Sequence, residues 1–114
     1  MDRGDLRAEI ESRMKAHLSR KFPRGGPRSD PVDDAISSLA EYGGYVAGLV
    51  ERYRREMPMG SDTIVLPVEL EGVFEREYRN DSTLDEFRRT WSELRGLAEL
   101  LSQATGVPIE RVSH

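Results

Sequence analysis

Acidic side chains crowd one stretch of the sequence, where the density of carboxylates could support acid–base chemistry. The stretch contains Glu69, Glu71, Glu75 and Glu77. Two neighbouring carboxylates can act as general acid and general base only when a pocket shifts their pKa values apart. Nothing in the sequence indicates such a pocket, so we interpret the four glutamates as a solvated face, and an acidic docking surface is the alternative.

Other patterns that mark enzymes do not occur in the sequence. Cysteine is absent, which excludes disulfides, thiolate catalysis and cysteine-ligated metal sites. His17 lies beside an apolar stripe without a second histidine nearby or a carboxylate at ligand spacing. Nucleophile–base, phosphate-loop and metal-ligand motifs are all missing. The sequence therefore predicts a protein that is not an enzyme and uses no cofactor and no metal.

Basic side chains gather at two places that could contact nucleic-acid phosphates. One place surrounds a Pro- and Gly-rich linker at residues 23–29, and the other is the end of a long helix. Together they contain Arg20, Lys21, Arg24, Arg28, Arg52, Arg54 and Arg55. The net charge of −4 disfavours polyphosphate binding as the main activity. A nucleic-acid-associated factor is therefore the alternative function.

Small residues form the candidate surface for a protein partner. Ala40, Gly44 and Gly48 recur every four residues, which places them along one side of a helix beside Tyr45. Each helical glycine costs about 1 kcal/mol relative to alanine, and close approach of a partner helix or second subunit would offset that cost. A helix that merely tolerates glycine is the other explanation. The leading prediction is a small regulatory protein, of adaptor or inhibitor type, that binds an unidentified protein or a second copy of itself.

A long central helix must position these small residues. Apolar residues between Val32 and Met57 alternate spacings of four and three, which predicts a helix over 31–57. Asp30 followed by Pro31 is a strong N-terminal signal. Gly43 lies on the apolar stripe, where its missing side chain would let a neighbouring helix or an aromatic ring come close.

A second long helix is predicted over 84–105. Thr83 and Glu86 have the spacing of a capping box, and Gly106 suits a left-handed cap at the other end. The apolar repeat of this helix makes it the natural packing partner for the central helix.

Two shorter helices complete the prediction. An apolar residue every four positions indicates an amphipathic helix over 5–21. Residues 63–71 alternate like a strand, but Pro67 and the lack of an obvious second strand favour an extended segment followed by a helix over 67–79.

The predicted fold class is therefore all-α, a bundle of about four helices in one domain over 1–114. The domain includes the flexible basic linker and a short C-terminal tail at 107–114. The residues predicted to be buried are Leu39, Val46, Val50, Tyr53, Phe74, Phe87, Trp91, Leu94 and Leu101. Neither a membrane-spanning run nor a secretory signal is present, so we expect a cytoplasmic protein without membrane contact.

Overall fold

The structure is a computed structural model, and it describes residues 8–10, 12–13, 16, 30–77, 80 and 82–112. The side chains of residues 30–33, 74, 77 and 83 are outside that description. The long elements are helices α1 (Asp30–Arg54) and α3 (Asp85–Thr105). The short ones are strand β1 (Ile64–Pro67), helix α2 (Val68–Glu71), a π-helix (Gly72–Glu77), a 3₁₀ turn (Ser82–Leu84) and strand β2 (Ile109–Val112).

The fold is mostly helical but not all-α, so the predicted fold class is wrong. Strand β1 pairs with β2 in parallel, with Ile64 opposite Ile109 and Pro67 opposite Val112. Parallel strands need a long crossover connection, and α3 provides it here. Pro67 is tolerated because it is the last residue of β1 and directly precedes α2, with a φ of −74°. The second strand comes from the segment that the sequence presented as a tail.

The C-terminal end of α1 comes earlier than its apolar repeat predicts. The helix stops at Arg54, and Glu56 has a left-handed φ of 56°. The Glu56 N–H donates to the Tyr53 carbonyl and the Met57 N–H donates to the Arg52 carbonyl, at 3.1 and 2.8 Å. These two bonds form a Schellman motif. Tyr53 and Met57 are each 48% exposed, so the predicted burial of Tyr53 is wrong.

The structure bears differently on the two shorter helices that the sequence predicted. Over 67–77 the helix predicted for 67–79 is a strand residue, one short α-helical turn and the π-helix, while residues 78–79 lie outside the described residues. The described residues within the predicted helix 5–21 are all helical, while the predicted linker at 23–29 lies outside the described residues.

The start of α3 also differs from its prediction. The residue before the helix is Leu84, and its side chain makes no capping hydrogen bond. The Glu86 carboxylate pairs with Arg13 and Arg89, at 3.4 and 3.7 Å. The α-helix thus begins one residue later than predicted, and the capping box stays a prediction because the Thr83 side chain lies outside the described residues. The left-handed cap at Gly106 is confirmed, since its φ is 78° and its N–H bonds the Ser102 carbonyl.

Helices α1 and α3 pack against each other and run in the same direction. The rings of Tyr42 and Trp91 are 5.7 Å apart, and about two to three turns further along both helices Leu49 packs in a cluster with Ala98 and Leu101. This confirms the predicted pairing of the two long helices. Six of the residues predicted to be buried are buried: Leu39, Val46, Phe87, Trp91, Leu94 and Leu101. Val50 is half-buried, and the Phe74 side chain is outside the described residues.

Gly43 provides the close approach that the sequence indicated. A Cβ atom at this position would overlap Cδ1 of Ile10, a buried residue of the N-terminal helical segment. The glycine thus lets that segment pack directly onto the middle of α1. Among the helices that the structure describes, none has the length and apolar character needed to cross a bilayer.

Candidate functional site

The row of small residues on α1 is largely covered by the protein itself. Ala40 is 1% exposed and belongs to the main core cluster, and Gly44 is also buried. Tyr45 and Gly48 are half-buried and keep some contact with solvent. A partner could therefore reach only the Tyr45 and Gly48 end of the row, and partner binding at these four residues stays a prediction.

Two tyrosine hydroxyls cap one residue of strand β1. The Tyr42 hydroxyl donates to the Val65 carbonyl at 2.8 Å, and the Val65 N–H donates to the Tyr45 hydroxyl at 2.9 Å. Alternate residues of a parallel ladder point both backbone groups away from the partner strand. The register and the bond from the Ile64 N–H to the Pro108 carbonyl identify Val65 as such a residue. The tyrosines thus satisfy the backbone of β1 where a neighbouring strand would otherwise lie.

The two tyrosine rings stack on each other at this surface. The two rings stack with centroids 5.7 Å apart and an interplanar angle of 25°. Burial raises the pKa of the Tyr42 hydroxyl above its ordinary range, and the neighbouring Tyr45 and Glu99 add to the increase. Tyr42 therefore stays a neutral hydrogen-bond donor at every physiological pH.

An open cleft of about 300 Å³ lies between this side of α1 and the capped edge of β1. Its lining residues are Ser38, Glu41, Tyr42, Tyr45, Val65, Pro67 and Glu69. None of these described lining residues is basic, and two carry carboxylates. The sequence prediction found only Tyr45 among them. The spacing of Ser38, Glu41 and Tyr45 along one helix side was the available signal, whereas the residues from β1 join them only through tertiary packing.

A second, smaller cavity of about 180 Å³ lies on the other side of Tyr45. Gly48 contributes to its wall, beneath the loop that contains Met59 and Gly60. The Arg52 guanidinium also lines it and donates to the Pro58 carbonyl at 2.9 Å, which ties this loop to α1. Tyr45 therefore separates a cleft with acidic walls from a cavity closed by the loop.

The acidic stretch that suggested acid–base chemistry is largely engaged in structural contacts. Glu75 accepts a hydrogen bond from the Trp91 indole N–H at 2.9 Å and pairs with Arg95. Glu71, with a side chain only 16% exposed, pairs with Arg111 at 3.4 Å. These carboxylates hold α3 and β2 against the segment after β1, so the interpretation of a purely solvated face does not apply to them.

The basic residues at the end of α1 are partly committed to contacts within the protein. Arg52 binds the Pro58 carbonyl, and Arg55 pairs with Glu51 at 2.7 Å. Arg54 is exposed. The other basic residues of the nucleic-acid alternative lie outside the described residues: Arg20, Lys21, Arg24 and Arg28. Within the described ranges, no group of histidine, aspartate and glutamate side chains is placed to hold a metal ion.

Comparison with known proteins gave no match to a family model, a curated protein or a solved structure. The geometry of the described residues is therefore the basis for any functional proposal.

Proposed function

We propose that this protein is a non-catalytic interaction protein, of adaptor or inhibitor type, that binds a protein partner through the side of α1 bearing Tyr45 and Gly48. The observation that supports the proposal is the open cleft of about 300 Å³ beside Tyr45. This volume is at the lower end of the range for ligand-binding clefts and suits one inserted side chain. The stacked tyrosines form a firm wall, and aromatic residues of this kind are enriched at protein interfaces.

Charge favours a protein partner over nucleic acid at this surface. The cleft has Glu41 and Glu69 in its lining, which would repel phosphates. Of the arginines at the end of α1, Arg52 and Arg55 already contact groups of this chain. Nucleic-acid binding is thus an outcome of the experiment rather than a second proposal. The cytoplasmic location expected from the sequence also stays a prediction.

A blocked cleft provides the test. In the variant Ser38→Arg a long side chain enters the cleft, whereas Ser37→Arg adds the same side chain to an exposed position on the same helix. Both variants and the unchanged protein serve as baits for affinity capture from cells that express the protein. Light scattering of each protein alone measures self-association, and circular dichroism confirms that each one folds.

The proposal expects one protein that the unchanged chain and Ser37→Arg capture and Ser38→Arg does not. That protein, once purified, must bind directly with the same dependence on the cleft. If the partner is a second copy of the chain, light scattering would show a dimer for the unchanged protein and for Ser37→Arg, and a monomer for Ser38→Arg. The proposal is contradicted if the protein is monomeric and Ser38→Arg captures the same proteins as the unchanged chain. Capture of nucleic acid alone by all three baits supports the alternative function.

A further inference from the structure

We propose that the cleft beside Tyr45 binds the guanidinium group of an arginine side chain that the partner presents. The inference rests on the proposed function, because it names the chemistry of the partner at the same surface. Glu41 on α1 and Glu69 on α2 supply negative charge from two different elements of the lining. The charge of the cleft thus complements a cation that enters between the helix and the strand.

The carboxylates have the hydrogen-bonding capacity that a guanidinium requires. Glu41 is exposed and Glu69 is half-buried, and the Oε2 atom of Glu69 has almost no contact with solvent. A carboxylate offers about four acceptor sites, and a guanidinium offers five N–H donors in a planar fork. The two carboxylates in the lining therefore match the donor pattern of a guanidinium.

Tyr45 adds an interaction that favours arginine over other cations. The half-buried ring lines the cleft, and an aromatic face attracts a cation through its quadrupole. A guanidinium can also stack on the ring while its edge donates to carboxylates, which an ammonium group cannot do. The ring is held in place by its stack with Tyr42 and by the bond from the Val65 N–H.

The backbone of the cleft argues against an anionic ligand. An anion would need N–H donors, but the Val65 N–H already binds the Tyr45 hydroxyl. Pro67, the other β1 residue in the lining, has no N–H. The backbone of β1 thus offers an anion no donor here, and the carboxylates would oppose it.

Nuclear magnetic resonance titration of the full chain tests the inference without a known partner. The probe is the blocked peptide Gly-Arg-Gly, and its control is the same peptide with citrulline, which is nearly isosteric but uncharged. We expect the arginine peptide to shift the amide signals of Tyr45, Val65 and Glu69, while the citrulline peptide leaves them in place. Ser38→Arg should abolish the shifts by filling the cleft, and Ser37→Arg should retain them.

Paired substitutions separate a local site from general attraction to an acidic protein. The double variant Glu41→Gln with Glu69→Gln should weaken binding of the arginine peptide about tenfold. Glu9→Gln with Glu93→Gln changes the net charge equally at exposed positions and should leave binding unchanged within about twofold. Equal weakening by both pairs, or shifts spread over the whole surface, would overturn the inference. A lysine peptide that binds as tightly as the arginine peptide would overturn the preference for arginine.

The two proposals fail separately. If the arginine peptide binds in the cleft but no partner depends on Ser38, the proposed function is wrong and the arginine site is supported. If a partner depends on Ser38 but the arginine peptide shifts no cleft signal, the arginine inference is wrong and the proposed function is supported.

Discussion

The Tyr42 hydroxyl donates a hydrogen bond to the Val65 carbonyl oxygen at 2.8 Å, which joins the middle of α1 to the edge of a two-stranded sheet. Tyr42 is 5% exposed and Val65 is half-buried, so little water is available to replace the tyrosine as a donor to this carbonyl. A buried carbonyl that loses its donor keeps the full cost of its desolvation. The bond therefore contributes to stability as well as to the shape of the cleft.

Replacement of Tyr42 by phenylalanine tests this contribution. We expect Tyr42→Phe to lower the free energy of unfolding by about 1–3 kcal/mol, because the Val65 carbonyl loses its donor while the ring remains. Tyr53→Phe is the matched control at an exposed position and should change stability by less than about 0.5 kcal/mol. Urea denaturation followed by circular dichroism measures both. Equal losses of unfolding free energy in the two variants would mean that the bond from Tyr42 to the Val65 carbonyl does not stabilise the protein.

The raised pKa of Tyr42 predicts a loss of stability in alkaline solution. An unfolded tyrosine titrates at about pH 10, whereas the folded Tyr42 holds its proton to a higher pH. The contribution is thus fully present below about pH 10 and falls as the pH rises above it. The stability difference between the unchanged protein and Tyr42→Phe should therefore shrink from about pH 8 to about pH 11, by up to about 1.4 kcal/mol per pH unit above pH 10. Urea denaturation across this range measures the difference, and a constant difference would contradict the prediction.

Alanine at two helical glycines should have opposite effects on stability. A Cβ at Gly96 meets nothing within 4 Å, so Gly96→Ala should stabilise the protein by about 0.5–1 kcal/mol. A Cβ at Gly43 overlaps the Ile10 side chain, so Gly43→Ala should destabilise it by about 1–3 kcal/mol. Thermal and urea denaturation give both values.

A second substitution identifies the cause at Gly43. Ile10→Val removes the Cδ1 atom that the new Cβ would meet, so the double variant should be more stable than the sum of the two single changes predicts. If the two changes in stability simply add, the Ile10 side chain is not what opposes a Cβ atom at Gly43.

Proline substitutions in β2 test the parallel sheet. The register directs the Glu110 N–H toward the Ile64 carbonyl and the Arg111 N–H away from β1. Relative to alanine at the same position, Glu110→Pro should cost about 1–3 kcal/mol and Arg111→Pro less than about 1 kcal/mol. The alanine variants account for the side-chain contacts of Glu110 with Thr63 and of Arg111 with Glu71. Equal costs for the two prolines, measured by urea denaturation, would contradict this pairing.

Local sequence signals were sufficient for the long helices. The apolar repeat predicted α1 and α3 to within three residues at each end, and it predicted their contact. Gly106 predicted the end of α3 because only a residue that tolerates positive φ suits that cap. The repeat failed beyond Arg54, because the Schellman turn at Glu56 ends the helix while Tyr53 and Met57 still continue the apolar pattern.

Tertiary structure alone decided the sheet and the cleft. Strands of four residues carry too little alternation to be recognised, and β1 and β2 are joined only through a crossover that includes α3. The cleft depends on that pairing, since it brings Val65 and Pro67 beside Tyr45. The sequence by itself determined where the two long helices lie, because helix periodicity is local. The sheet edge and the acidic cleft arise from residues far apart in the chain, which only the packing of α1, α3 and the two strands brings together.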